Sequence, residues 1–175
     1  LQKKLEIPVL STWRALGVLD YNNELFFGSP GLQAKRYSNI MIQSADLVIV
    51  LGSRLDNMIT AFNEANFAHN AKKVIVDIDE NELDKFSIPN LIPIVCDVNN
   101  FLDLINKNVL IHKKKKYNNW IEFCKYCKKR FPLNLEKQVN ETELVDLYHL
   151  AETVSKCCDK NDSIVVSSTS RCNTA

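Results

Sequence analysis

The sequence predicts an α/β fold: a parallel sheet with helices on both faces. Three observations carry that reading. Short, almost wholly apolar runs recur at Ile7–Leu10 (IPVL), Leu47–Leu51 (LVIVL), Val74–Ile78 (VIVDI) and Ile92–Cys96 (IPIVC). Runs of this length without polar alternation suit strands buried on both faces, which belong in parallel sheets. Helical patterns separate the runs, and strands alternating with helices imply crossover connections. Compact polar turns such as GSRLD, Gly52 to Asp56, follow the runs directly.

Taken in order, Pro8 opens the first run where a missing N–H is tolerated, as does Pro93 in the fourth. Further helices are expected near Leu32–Ser44, Asn57–Phe67, Glu80–Phe86 and Val98–Asn106. After Val109 the character changes. IHKKKKYNN is a charge run suited to a solvated linker or a helix front. NNWIEFCKYCKKRF then sets Trp120, Phe123, Cys124 and Cys127 at helical spacing, an apolar stripe that needs a partner surface. NETELVDLYHLAETVSKCC opens with a capping box at Asn140 or Thr142. Its expected buried face is Leu144, Leu147, Leu150, Ala151 and Val154. A fifth apolar run, SIVVSS, follows. The expected organisation is a sheet domain over 1–108, a helical connector over 109–160, and the start of a truncated domain over 161–175.

Composition narrows the function. The 175 residues carry a net charge of +1, with 46% hydrophobic and 25% charged residues, ordinary for one globular domain. That balance predicts no nucleic-acid partner, and no apolar run approaches the roughly 20 residues of a membrane span. The chain starts without Met or a signal-peptide pattern, and both ends read as cuts through a longer protein. Six scattered cysteines fit reduced thiols and a cytoplasmic location. Cys124-x-x-Cys127 has no second pair, and His69, His112 and His149 are dispersed, so core cysteines are expected rather than a metal site. Hydrolase elbows, zinc-protease motifs, Walker loops and G-x-G-x-x-G are absent, so no catalytic residue is assigned.

Position singles out five segments. STWRALG, GSPG, GSRLDN, DIDENEL and CDVNNF lie at or near the carboxyl ends of the expected strands, where open parallel sheets bind ligands. Arg54 is suited to a diphosphate. Asp77 and Asp79 resemble the acidic residues that take a ribose hydroxyl. For Asp79, capping the helix that begins at Glu80 is an equal alternative.

In this order and spacing, the segments resemble the central domain of thiamine-diphosphate-dependent enzymes of the acetolactate synthase type. IPVLSTWRALG, GSPG, ADLVIVLGSRLDN, VIVDIDENELDK and IVCDV stand where that family has its strand and turn motifs, over about Leu1 to Leu104. The resemblance implies a Rossmann-like, FAD/NAD-binding-like sheet whose first strand is missing here. It also implies a three-domain parent, a homo-oligomer (dimer or tetramer) acting on a 2-keto acid with thiamine diphosphate and magnesium. The glutamate that activates the cofactor would precede Leu1, and the G-D-G…N-N magnesium motif would follow Ala175. This piece would therefore be catalytically incomplete.

By motif position, an FAD site would be lined by Thr12, Trp13, Gly28, Ser29, Gly31, Gly52, Arg54, Asp56, Asp77, Ile78, Glu82, Asp97 and Val98. Three departures lead to the expectation that FAD is absent. GSPG replaces GMHG, Asn57-Met58 replaces a second Asp-Arg, and Cys96-Asp97 replaces Gly-Asp. They remove a phosphate contact and add bulk where backbone would approach a ligand. Two alternatives remain. One is a nucleotide module of the deoxyhypusine synthase or deacetylase type, which would need a catalytic His or Lys near the strand ends, with His69 the only histidine close. The other is a non-catalytic scaffold.

Overall fold

The computed structural model describes residues 2–108, 117–132, 147–159 and 161–164. The chain divides into two compact units, Leu1–Arg130 and Phe131–Ala175.

The first unit is built on three parallel strands, β1 (Leu47–Leu51), β2 (Lys72–Asp77) and β3 (Leu91–Val95), ordered β1-β2-β3. Leu47 to Leu51 pair with Lys72 to Val76, and Lys73 to Asp77 with Leu91 to Val95. The helices of this unit are α1 (Gln2–Leu5), α2 (Arg36–Ser44), α3 (Asn57–Thr60), α4 (Glu80–Asp84), α5 (Val98–Asn108) and α6 (Asn118–Arg130), of which α4 and α5 pack on the sheet. Sheet order follows chain order, so no reversal of winding occurs among the described strands.

Pro93 sits within β3 rather than at its start. The N–H groups of Lys73 and Cys96 bond to Asn90 and Asp77. By the alternation of a parallel ladder, even-numbered residues of β3 therefore donate to β2, and odd-numbered residues face outward. The missing N–H of Pro93 falls on the open side and costs the sheet no hydrogen bond.

The run at Ile7–Leu10 does not join this sheet. Val9 forms a single parallel bridge with Phe26: its N–H reaches the Leu25 carbonyl at 2.8 Å, and Phe27 N–H reaches the Val9 carbonyl at 3.0 Å. The partner, Leu25–Phe27, is only three apolar residues long, too short to register as a strand. The helix expected over Asn57–Phe67 is broken after one turn. Ala61 and Phe62 take φ of 56° and 57°, and a 3-10 turn (Glu64–Asn66) follows, with Asn63 accepting from Asn66 N–H. The helix expected from Leu32 begins at Arg36.

Val50, Leu55, Ile59, Phe67, Ala68, Ala71, Ile75, Leu83 and Ile88 form the core. Burying each large aliphatic or aromatic side chain contributes about 1.5–3 kcal/mol. Within this apolar region lies Lys73, fully buried on β2. Its ammonium donates to the Ala68 carbonyl at 2.8 Å and the Phe67 carbonyl at 3.5 Å, and burial pushes its pKa down.

α6 packs against α2. Tyr37, Ser38 and Met41 are buried on α2, and Cys124 and Cys127 on α6. The expected stripe is thus half right. The two cysteines face inward, while Trp120 stacks on Phe123 at 5.4 Å nearer the surface, with Phe123 exposed. In the second unit, α7 (Leu147–Cys157) forms; of the face expected to be buried, Leu150 and Val154 are 44% and 39% exposed and Ala151 is half-buried. Asn140, Thr142, Leu144, the side chain of Leu147, the run Ile111–Lys116 and most of the fifth apolar run lie outside the described residues.

Candidate functional site

Parallel strands deliver their carboxyl ends to one edge, which gathers Gly52, Asp77, Ile78, Asp97 and Val98. Most of the polar groups there already serve the fold. Gly52 N–H donates to the Val76 carbonyl at 2.9 Å and is spent on the ladder. Gly52 has φ 57°, and a Cβ there would lie 3.3 Å from the Val98 side chain. Asp56 caps α3, accepting from Met58 and Ile59 N–H at 3.0 and 3.2 Å. Asp77 accepts from Asp79 N–H at 3.1 Å, and Asp79 from Asn81 N–H at 3.0 Å. The capping role weighed for Asp79 is the one it plays. Asp97 caps α5 through Asn99 and Asn100 N–H at 2.8 and 3.3 Å. Ile78 is 72% exposed.

Arg54 crosses from the loop after β1 to the helix after β2. Its Nη2 donates to Glu82 Oε1 at 2.5 Å, while Lys85 holds the other carboxylate oxygen. The Arg54 side chain is 73% exposed and that of Glu82 only 17%. These cations hold the Glu82 carboxyl at a pKa of about 2. Glu82 in turn raises the pKa of Arg54, with Asp77 and Asp79 adding to the effect.

The GSPG turn is fixed against the first turn of α3. Gly31 donates to and accepts from the Asn39 side-chain amide, both at 2.8 Å. Leu32 N–H reaches the Met58 carbonyl at 2.8 Å. A Cβ on Gly31, whose φ is 122°, would stand 2.4 Å from that same oxygen. Gly28, with φ 74°, faces Lys35, Ser38 and Tyr37, and Ser29 beside it is half-buried. Ser11 N–H bonds the Gly28 carbonyl at 3.0 Å and so places Thr12 and Trp13 beside the turn. Thr12 precedes a 3-10 turn (Trp13–Ala15) without capping it by its side chain, and Trp13 is half-exposed.

Two features escaped the motif reading. The Ser11 hydroxyl is buried without a hydrogen-bond partner among the described residues. Lys35, half-buried behind Gly28, donates to Tyr21 Oη at 3.0 Å with its ammonium 4.9 Å from that ring centre. A serine and a lysine in turns carry no sequence signal; only the packing reveals them.

His69 is exposed in the turn before β2, at the opposite end of the strand from this edge, with Nδ1 3.2 Å from the Ala65 carbonyl. The deacetylase-type alternative needs a His or Lys near the strand ends, and His69 is not at that edge. Cys124 and Cys127 are buried, and burial pushes the Cys124 thiol up to about 12. No group of three metal-ligating side chains occurs among the described residues, and none of their helices is long and apolar enough to cross a membrane.

Flavin phosphates require free N–H donors or a free cation. At this edge the Gly52 N–H is bonded in the sheet and Arg54 is paired with Glu82.

The chain is 31% identical over 161 residues to the acetolactate synthase isozyme 1 large subunit of Escherichia coli (strain K12), covering 92% of this chain and 27% of that protein. It is 34% identical over 137 residues to the acetolactate synthase large subunit of Lactococcus lactis subsp. lactis (strain IL1403), covering 78% and 23%. It is 32% identical over 152 residues to that of Corynebacterium glutamicum, covering 86% and 24%. The chain thus spans about a quarter of the length of these relatives. Residues 1–105 match the family described as thiamine pyrophosphate enzyme, central domain. The chain belongs to the thiamine pyrophosphate enzymes, and its three-stranded parallel sheet lies within their central domain.

Proposed function

We propose that this chain is the middle of a thiamine-diphosphate-dependent enzyme of the acetolactate synthase type, which decarboxylates and joins 2-keto acids. The observation that carries the reading is the 161-residue match to an acetolactate synthase large subunit, which runs through the sheet and beyond it into the helices. Bound thiamine diphosphate and magnesium would supply the nucleophilic carbon, and the groups that hold them lie outside these residues: no G-D-G…N-N motif occurs in the chain. In this reading, 1–108 is a Rossmann-like domain whose first strand comes from an earlier segment, 109–160 is a connector, and 161–175 opens the diphosphate-binding domain. The whole enzyme is cytoplasmic and homo-oligomeric.

The role of the chain is architectural, with a strand-end edge that faces a nucleotide site but does not hold FAD. The spent Gly52 N–H and the paired Arg54 support this. The test is turnover. The product of the complete gene should release carbon dioxide from pyruvate with thiamine diphosphate and magnesium, and these 175 residues alone should release none above blank. Decarboxylation by the isolated chain would refute the placement of the catalytic groups.

A further inference from the structure

We propose that Glu82 is an internal counter-anion, a carboxylate that occupies Arg54 where a ligand diphosphate would sit and so keeps the strand-end edge closed to anionic ligands. The proposal rests on the reading of this edge as nucleotide-facing. Glu82 offers both carboxylate oxygens to cations, Oε1 to Arg54 and Oε2 to Lys85. The carboxylate thus bridges the two cations, meeting each through one oxygen. The carboxylate is largely covered and Arg54 largely exposed, so the acid is fixed while the arginine could swing to solvent if released. Asp77 and Asp79 do not compete for Arg54 directly, because their carboxylates are turned onto the N–H groups of Asp79 and Asn81. They add negative potential around the guanidinium. Neutralising the fixed acid would leave the exposed guanidinium without this partner and open to a polyanion.

The probe is inorganic pyrophosphate without magnesium, titrated into 15N-labelled chain while the amide shifts of Gly52 to Leu55 are followed. Glu82→Gln should steepen the initial slope of those shifts about three- to tenfold over the unmodified chain. The double variant Arg54→Ala, Glu82→Gln should abolish the gain, and far-ultraviolet circular dichroism of each variant should match the unmodified chain. Equal response of the unmodified chain and Glu82→Gln would overturn the counter-anion role while leaving an anion-binding edge in place. No response in either would overturn both the role and the nucleotide-facing reading. A gain that survives Arg54→Ala would place the binding elsewhere and also refute the proposal.

Discussion

Arg54 Nη2 lies 2.5 Å from Glu82 Oε1, joining the loop after the first strand to the helix after the second. The contact ties two neighbouring crossovers together at the strand-end edge. Because the cations hold the Glu82 carboxyl at about 2, against an ordinary 4.5, its contribution to stability is complete above pH 4.5. That contribution is lost as pH falls from 4.5 towards 2. Glu82→Gln should therefore flatten the acid limb of the urea-midpoint profile over that window, as read by circular dichroism. An unchanged acid limb would show that the pair does not form in solution.

Lys73 predicts a slope of the same sign at the alkaline end. Burial lowers its pKa below 10.5, so in the window between its folded value and 10.5 the unfolded chain holds more protons. Its penalty is full at neutral pH, and stability rises as pH climbs through that window. The raised Cys124 thiol acts in the reverse sense above pH 9, so the informative quantity is the difference between the native chain and Lys73→Met. That difference should shift in favour of the native chain from pH 7 to 10. A pH-independent difference would contradict the burial of the ammonium.

Gly31→Ala should be severe. The new Cβ would meet the Met58 carbonyl at 2.4 Å with φ at 122°, and both faults lie in backbone that cannot move aside cheaply. A loss of about 2–4 kcal/mol in chemical denaturation is expected. A loss below about 0.5 kcal/mol would mean that the GSPG turn does not dock on α3.

Ser11→Ala should behave differently from most changes at buried positions. Removing a buried hydroxyl that has no partner among the described residues relieves a desolvation cost, so the variant should be neutral or up to about 1 kcal/mol more stable. A clear destabilisation would reveal a partner for the hydroxyl.

The buried Cys124 and Cys127 should resist a thiol reagent under native conditions, while the exposed Cys157 reacts. Moving the Cys124 pKa from 9.0 to about 12 leaves roughly a thousandfold less thiolate, before access is considered. Rapid native labelling of either residue, located by mass spectrometry, would contradict the packing of α6 on α2.

Much of the sheet was legible because LVIVL and the runs Val74–Ile78 and Ile92–Cys96 are long and apolar enough to declare themselves, each ending within one residue of the observed strand. Lys73 hid the true start of the second strand, since a lysine reads as surface unless its carbonyl partners are known. The Val9–Phe26 bridge was invisible because Leu25–Phe27 is short and ends in a turn, and the chain reversal after α3 depends on left-handed Ala61 and Phe62, which no propensity favours. Motif spacing located the residues at the strand ends but not their engagement. It placed Arg54 and Glu82 on the same edge without showing that they bind each other.

The most direct test of the closed edge is titration of FAD into these 175 residues, followed by flavin fluorescence. With the Gly52 N–H committed to the sheet and Arg54 to Glu82, the flavin should keep its free fluorescence and the purified chain should be colourless. Quenching at micromolar FAD, or a yellow preparation whose flavin is released by Arg54→Ala, would contradict the account.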